Sequence, residues 1–450
     1  MLRRARRAVP SRPRVGGRRL RGLRVLSAAS VAAFGLAACS NSPAASNSSQ
    51  KQVITVWENW TTLTPGLIPL RTELDKAFEK AYPQYTVNDI AVAYATQGTK
   101  LRAAIAANTG PNVVNLYPGV FAATYRSGLV PLDSYLTAAD KKTWGLLSTA
   151  EVPGGGILSV PWTEYGYFFY YNKSLFEKAG LNPNDPPATW AEFVHDCAVL
   201  KAHGIVPLAG GFKDGYLWEN YAFPLLDQLM SPAETASWLE YKVPITSAAF
   251  TEVWSDIKAL GAAGSFSKNN ILGETMYEDQ FTSFEGGKAA IEQDAATVPN
   301  ITAAQKDLGT NNVGVFPVPR LSDSVWAPFT DAGPDNGWAI TKWTSDKAAA
   351  WDYITFMESA QTGNLLWKTG GAIPNNLESA TPTTNPILKV IFADLKNPLN
   401  HTTYTGFPLS VLQINERYAT EMMLGQVSIG TVLQDMESLR VKLTPQVVGP

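Results

Sequence analysis

Short hydrophobic strands alternate with longer helical patterns near the start of the chain. β-branched and aromatic residues dominate 53–57 and 87–92, and a third buried strand is predicted over 112–116. Between them, apolar residues recur at helical spacing over 70–81 and 100–107. Strands that are separated by helices pair in parallel, with the helices on the faces of the sheet. The alternation therefore predicts an α/β fold.

The ends of the predicted strands carry polar and aromatic side chains. Residues 58–60 follow the first strand, and residues 117–119 follow the third. Ligands of parallel α/β sheets bind beyond the carboxyl ends of the strands. Glu58, Trp60 and Tyr117 are therefore candidate ligand-binding residues.

The first 38 residues have the pattern of an export signal. They hold ten arginines and no acidic residue, and they end in the apolar segment 25–38. At 14 residues, this segment is too short to span a bilayer as a permanent helix. We therefore predict a signal peptide over residues 1–38. The pair Arg18 and Arg19 leaves a twin-arginine export route open beside the Sec route.

A cysteine follows the apolar segment directly. Residues 36–39, Leu-Ala-Ala-Cys, resemble the bacterial lipobox, in which the cysteine becomes the lipidated first residue of the mature protein. The resemblance implies a lipid anchor on Cys39 at the outer face of the cytoplasmic membrane, because several acyl chains hold a protein there stably. Residues 39–52 would then form the lipidated cysteine and a flexible tether with a reach of roughly 20 Å. The alternative is ordinary cleavage at an Ala-x-Ala-like site, with Cys39 incidental.

The predicted mature chain is acidic and has one thiol inside its fold. After residue 38 it holds 27 basic and 39 acidic side chains, a net charge near −12, which argues against general nucleic-acid binding. Thr189 and Glu192 form a capping box for a helix that places Cys197 on its apolar face. Cys197 is therefore predicted to be a buried, inert thiol without a disulfide partner. About 400 residues are enough for two domains with cores of their own.

Segments in a fixed order resemble one protein family over about residues 53–443. They read LRAAIAANTGPNVV, GLVPLDSYL, VPW, YYNKSLFEKAGL, PATWAEF, FTSFEGGKAAIEQD, VGVFPVPR, DNGWAI, WDYITFMES and GGAIPNN. Each segment alone is weakly specific, whereas the ordered set is strongly specific. The chain resembles the extracellular solute-binding proteins of carbohydrate ABC transporters, the group that includes maltose-binding protein.

The resemblance implies a periplasmic-binding-protein fold of type II, with two discontinuous α/β lobes joined by a hinge of crossing strands. The crossings are expected near residues 161–171, 313–319 and 370–374. Lobe I would comprise residues 53–161 and 317–370, and lobe II residues 162–316 and 371–450. Closure of the lobes would enclose a carbohydrate, which the protein would deliver to an ABC transporter permease without catalysis. We expect a monomer.

A sugar site needs flat aromatic rings for the C–H faces and hydrogen-bonding groups for the hydroxyls. The candidate residues are Glu58, Trp60, Tyr117, Tyr165, Trp218, Glu219, Asp294, Asp335 and Asn336. Surface or interlobe packing is the alternative for the two tryptophans, and capping or solvation for the acids. The family often has a bulky aromatic residue near position 294, and Asp294 departs from that pattern.

Two other functions remain open from the sequence. An exported glycoside hydrolase would use paired carboxylates, but no spacing here fixes such a pair. A binding protein for a non-sugar solute such as a glycerol phosphodiester would need a cationic pocket, yet only six arginines follow the signal, and only Arg320 lies near a proposed hinge.

The histidines at 195, 203 and 401 are scattered, and Lys288 is followed by Ala289 rather than by Ser or Thr of a P-loop. We therefore expect no metal and no cofactor.

Overall fold

The computed structural model describes most of the predicted mature chain. The described residues are 51–449 without 64, 296–297, 325–329, 370–371, 380–383, 396 and 398–399. The predicted signal, Cys39 and residues 40–50 of the predicted tether lie outside them. The first strand begins at Gln52, the last residue of that tether.

Eleven β-strands lie in the described part of the chain. They are β1 Gln52–Glu58, β2 Tyr85–Ala91, β3 Val113–Asn115, β4 Val160–Pro161, β5 Thr163–Asn172, β6 Val206–Leu208, β7 Ala289–Ala295, β8 Val313–Pro317, β9 Ala332–Pro334, β10 Gly337–Ile340 and β11 Ile373–Pro374.

Eighteen α-helices accompany these strands within the described residues. They are α1 Trp60–Leu63, α2 Ile68–Ala81, α3 Tyr94–Ala107, α4 Val120–Ala123, α5 Ala138–Thr143, α6 Lys173–Lys178, α7 Trp190–Ala202, α8 Leu217–Leu229, α9 Pro232–Leu239, α10 Ala248–Ala263, α11 Lys268–Leu272, α12 Phe281–Glu285, α13 Val298–Leu308, α14 Lys347–Met357, α15 Ala360–Thr369, α16 Pro386–Leu395, α17 Leu409–Met423 and α18 Ile429–Val448. Short 3₁₀ segments and one π-helical turn, Met276–Gln280, complete the list. Within the described residues, no helix combines the length and the hydrophobicity needed to cross a bilayer.

Lobe I is built on the first sheet, whose strand order is β2-β1-β3-β10-β4. Strand β1 pairs in parallel with β2 and with β3, as the alternation of strands and helices predicts. Strand β10 is antiparallel and fills the position between β3 and β4. Helix α2 packs Phe78 against Tyr353 of α14, with 5.2 Å between ring centroids, and so buries one face of this sheet.

Lobe II is built on a second sheet that shares its longest strand with the hinge. The strand order is β11-β5-β7-β6, and β8 and β9 also pair with β5. The first residues of β5 pair with β9 and β11, whereas Tyr167–Tyr171 pair with β7 and Phe168–Asn172 pair with β8. Because β4 ends at Pro161 in the first sheet, the chain passes between the lobes at Trp162.

The segment between β8 and β10 links the two sheets again. Strand β8 pairs with β5 in the second sheet, Arg320 forms a β-bridge with Thr189, and Leu321 packs in the same hydrophobic core as α7. Strand β9 pairs with β5, and β10 belongs to the first sheet. The predicted crossings and lobe limits stay predictions.

The capping box predicted at the start of α7 is present. Thr189 accepts a hydrogen bond from the Glu192 backbone, and the Glu192 carboxylate accepts one from the Thr189 backbone. The helix buries Phe193 and Cys197 in the core of lobe II. Burial raises the pKa of the Cys197 thiol far above its usual value, which suppresses the reactive thiolate.

We expect Cys197 to be inert in the folded protein. The chain from Ser40 onward should show essentially no thiol by Ellman's reagent in buffer and one thiol per chain in concentrated guanidinium chloride. Rapid labelling in buffer would contradict the buried position.

Candidate ligand-binding site

A cavity of about 670 Å³ lies between the lobes, alongside the hinge. Lobe I contributes Trp60 of α1 and Tyr94 of α3 to its lining, and lobe II contributes Glu219 of α8 and Glu416 of α17. The first residues of β5, beginning at Thr163, form the hinge side. The volume lies within the range of roughly 300–1,000 Å³ that is typical of small-molecule sites.

Aromatic side chains dominate the apolar part of the lining. They are Trp60, Tyr94, Tyr117, Trp162, Tyr165, Tyr167, Tyr216, Phe223, Phe281 and Tyr404. The Trp60 and Trp162 rings meet edge to face at 5.3 Å between centroids. Tyr404 lies 6.4 Å from Tyr117 and 5.9 Å from Tyr165, so rings from both lobes and from the hinge form one wall. Such rings offer flat surfaces for apolar ligand faces.

Two buried polar atoms of the lining lack hydrogen-bond partners within the described residues. They are Trp60 Nε1, a donor, and Asn336 Oδ1, an acceptor. The Asn336 amide is held in place because its Nδ2 donates to Asp335 Oδ2 at 2.8 Å, and Thr163 Oγ1 donates to the same oxygen at 3.2 Å. An unpaired buried polar atom costs about 1–3 kcal/mol, so a ligand that pairs with both atoms gains binding energy.

The charged side chains of the described lining are all acidic. They are Glu164, Asp214, Glu219, Glu278, Asp294, Asp335 and Glu416, and no Lys, Arg or His accompanies them. Between residues 51 and 449, only Lys396 is basic among the residues outside the described set. Burial raises the pKa of Glu164 to about 8 and that of Glu416 to about 7, and it raises the pKa of Asp335 above its usual value. Burial therefore shifts these three carboxyls towards their neutral form.

Most of the site residues predicted from the sequence come together here. The described lining includes Trp60, Tyr117, Tyr165, Glu219, Asp294, Asp335 and Asn336. Trp60 and Tyr117 follow β1 and β3, as the rule for the carboxyl ends of parallel strands predicts. Whether these residues contact a ligand stays a prediction.

Glu58 does not line the cavity. Its carboxylate is fully buried behind Trp60 and accepts hydrogen bonds from the Thr61 backbone at 3.0 Å and from the Thr61 hydroxyl. Arg71 of α2 lies 3.3 Å from the same carboxylate. Glu58 thus holds the start of α1 in place, which is the capping role that its sequence position also allowed.

Trp218 also lies outside the cavity, because the segment around it is helical. The sequence suggests a loop after a glycine-rich turn, but α8 begins at Leu217. On this helix Glu219, Asn220 and Phe223 face the cavity, whereas the Trp218 ring is fully buried in the core of lobe II, 6.3 Å from Phe212. Residues 219, 220 and 223 share one helical face, and that spacing was the available signal.

Tyr404 and Glu416 belong to the lining but are absent from the sequence prediction. Tyr404 lies in a 3₁₀ turn before α17, and Glu416 lies within that helix. Gly215, with φ +87°, lets the turn before α8 approach the Glu416 backbone, where a Cβ would lie 2.1 Å from the carbonyl oxygen. Only the folded chain brings these distant segments together.

Asp294 is the residue at which the sequence departs from the pattern that the family resemblance implies. It lies near the end of β7, is 2% exposed, and accepts a hydrogen bond from Asn300 Nδ2 at 2.9 Å. No group of three or more His, Cys, Asp or Glu side chains in the described part of the chain is arranged to hold a metal ion.

Comparison with known proteins identifies a family of solute-binding proteins. Residues 64–364 match the family of bacterial extracellular solute-binding proteins. The sn-glycerol-3-phosphate-binding periplasmic protein UgpB of Rhizobium meliloti is 28% identical over 215 residues, which cover 44% of this chain and 46% of the relative. The chain spans about half the length of the curated relatives that it matches first.

Solved structures share the fold at low identity. A chitin oligosaccharide binding protein superposes with a TM-score of 0.75 at 22% identity, over 88% of this chain and 99% of the other. The GacH receptor of Streptomyces glaucescens, whose structures include a complex with acarbose, superposes with a TM-score of 0.68 at 18% identity, over 88% and 99%. With the two lobes, the hinge strand and the family match over two thirds of its length, the chain belongs to the bacterial extracellular solute-binding proteins.

Proposed function

We propose that this protein captures a carbohydrate in the cavity between its lobes and delivers it to the permease of an ABC transporter. A lipid on Cys39 holds the monomeric protein at the outer face of the cytoplasmic membrane. The observation that carries the proposal is the lining, which combines ten aromatic side chains with hydrogen-bonding groups and no described cation.

The lining matches the chemistry of a sugar. Trp60, Tyr117 and Tyr165 supply flat surfaces for C–H faces, while Asp294 and Asn336 supply hydrogen-bonding atoms for hydroxyls. A buried polar atom that a wrong isomer leaves unpaired weakens its binding, which provides selectivity. Chitin oligosaccharide and acarbose, the ligands of the two structural relatives, belong to the same ligand class.

The same lining argues against an anionic ligand such as a glycerol phosphodiester. A phosphate in a buried site needs Lys, Arg or a helix N-terminus directed at it, because an unpaired buried charge is strongly unfavourable. Here the charged side chains of the described lining are acidic, and no described Lys, Arg or His lines the cavity to pair with a phosphate. The name of the UgpB relatives therefore supports this alternative only weakly.

We expect Trp60→Ala to weaken sugar binding. Loss of roughly 80 Å² of aromatic contact costs about 2 kcal/mol, or roughly a 30-fold rise in Kd. Isothermal titration calorimetry of the chain from Ser40 onward, with a panel of mono- and oligosaccharides and with glycerol-3-phosphate, measures the affinity. Chromatography of the sugar afterwards tests the hydrolase alternative, since a binding protein returns it intact.

Trp218→Phe is the matched control, because it changes a buried tryptophan outside the cavity. Its Kd should stay within threefold of the original. An equal loss of affinity in both variants would argue that Trp60 acts through stability alone. Tight binding of glycerol-3-phosphate without sugar binding would overturn the carbohydrate proposal.

A further inference from the structure

Two glutamates from different helices meet in the lobe II side of the cavity. Glu219 of α8 and Glu416 of α17 both line it, and the negative charge of Glu416 contributes to the raised pKa of Glu219. Gly215 holds the start of α8 against the backbone of Glu416. Asn415 Nδ2 donates to Glu219 Oε1 at 3.1 Å, and Asn415 Oδ1 accepts from Trp254 Nε1 at 2.9 Å. The position of the pair is therefore set by the core of lobe II.

The pair lacks a counter-charge within the described residues. Glu219 is only 4% exposed, Asn415 Nδ2 donates a hydrogen bond to its Oε1, and it lines a cavity without any described Lys, Arg or His. Arg417, the neighbour of Glu416, is exposed and stacks on Tyr418 at 4.6 Å.

Some other part-buried or buried carboxylates of this chain are neutralised by arginine. Arg71 lies 3.3 Å from Glu58, and Arg440 lies 2.8 Å from Glu437. Two adjacent carboxyls without such a partner are a costly arrangement for the empty protein. A cation supplied from outside would remove that cost.

Tyrosine rings surround the pair. Both glutamates contribute to the raised pKa values of Tyr94 and Tyr404, for which burial is the main cause, so both rings lie near them. Tyr117 connects the two rings, at 6.1 Å from Tyr94 and 6.4 Å from Tyr404. The faces of tyrosine rings attract cations, whereas a neutral hydroxyl gains little from them.

We propose that the carbohydrate is an amino sugar whose protonated amine lies between Glu219 and Glu416, within the Tyr94, Tyr117 and Tyr404 rings. This inference rests on the proposed function and narrows its ligand class. The neutral parts of the sugar would occupy the rest of the aromatic cavity.

Proton release distinguishes a cationic ligand from a neutral one. Burial raises the pKa of Glu416 to about 7, and burial together with Glu416 raises that of Glu219 well above its usual value, so the free pair binds protons more tightly than exposed carboxyls do. An ammonium group stabilises the ionised carboxylates and lowers both pKa values, so its binding releases protons. Tyr94 and Tyr404 interact electrostatically with both glutamates, Tyr94 also with Tyr117, and Tyr404 also with Asp335. Asp214, Tyr216 and Glu278 are further titratable groups of the lining.

The test compares β-1,4-linked oligosaccharides of equal length that carry a hydroxyl, an ammonium or an acetamido group at C2, together with the three monosaccharides. Calorimetry of the chain from Ser40 onward gives Kd for each. The same titration in phosphate and in Tris at pH 6.5 reports the protons released. We expect the ammonium form to bind at least tenfold more tightly than the hydroxyl form at pH 7.5, with proton release for the ammonium form alone.

Isosteric variants tie the preference to the pair. Glu416→Gln and Glu219→Gln should each weaken binding of the ammonium form at least tenfold and change that of the hydroxyl form less than threefold. Glu421→Gln, on the same helix but outside the lining, is the control and should leave both affinities unchanged.

The outcomes separate the two proposals. The amino-sugar inference is overturned if the hydroxyl or acetamido form binds as tightly as the ammonium form, or if no ammonium form binds. Binding of the neutral sugar would still support the carbohydrate proposal. If no sugar of the panel binds and glycerol-3-phosphate does, both are overturned.

Discussion

Replacing Arg71 with Met is expected to lower the free energy of unfolding by about 3–5 kcal/mol, because it leaves buried carboxylates without their cation. Arg71 lies 3.3 Å from Glu58 and 3.6 Å from Asp89, and its charge also lowers the pKa of Asp75. This acidic group lies directly behind α1, which carries Trp60. Urea denaturation followed by tryptophan fluorescence measures the change.

The loss of stability in Arg71→Met should depend on pH. Burial, opposed by Arg71, raises the pKa of Asp75 to about 7, and burial with the neighbouring Asp75 and Glu58 raises that of Asp89 to about 8. Because the folded state binds these protons more tightly than the unfolded state, their contribution to stability is complete below about pH 4 and is lost as the pH rises to about 8. Wild type should therefore be less stable at pH 8 than at pH 5, and the deficit of Arg71→Met should be larger at pH 8.

Lys76→Met is the matched control for this prediction. Lys76 is exposed on the same helix, so its loss removes one positive charge without exposing a buried carboxylate. We expect a change of less than about 0.5 kcal/mol, as for most surface substitutions. Equal destabilisation by both variants would show that net charge, rather than the Arg71 contacts, is responsible.

Gly215→Ala is expected to destabilise the protein by about 3 kcal/mol and to weaken ligand binding more than tenfold. Its φ of +87° is unfavourable for alanine by about 1 kcal/mol, and its Cβ would lie 2.1 Å from the carbonyl oxygen of Glu416. Because that neighbour is backbone, α17 must shift, at a further cost of about 1–3 kcal/mol. The shift would displace Glu416 from the cavity lining.

Gly204→Ala separates the two contributions. Gly204 has a similar φ of +73°, but no atom lies within 4 Å of the Cβ that alanine would add. Urea denaturation should show a loss of about 1 kcal/mol, and calorimetry should show an unchanged Kd. If Gly215→Ala and Gly204→Ala lower the free energy of unfolding equally and neither changes Kd, the prediction of a close contact between Gly215 and α17 is wrong.

Local patterns predicted the elements of lobe I well. The spacing over 70–81 corresponds to α2, and the strands predicted over 87–92 and 112–116 correspond to β2 and β3. These segments carry their own signal, because the period of the apolar residues reports which face is buried. The parallel pairing and the position of Trp60 follow from the same reasoning.

Contributions from distant segments could not be predicted in this way. The antiparallel placement of β10 between β3 and β4, and the approach of Glu416 to Glu219, depend on tertiary packing that no local pattern encodes. The position of Trp218 was not predicted for another reason, because a glycine-rich turn suggested a loop where a helix begins. The tryptophan then points to the core, while its neighbour Glu219 faces the cavity.

The place of β10 determines the order in which the lobes can be completed during synthesis. Strands β1 to β4 emerge first, but β3 and β4 become neighbours of a continuous sheet only when residues 337–340 are available. By then the ribosome has already made β5, β6, β7 and β8 of the other lobe. The lobe that begins the chain is thus finished after the central strands of the second, and a nascent chain shorter than about three quarters of the full length has an open gap in its first sheet.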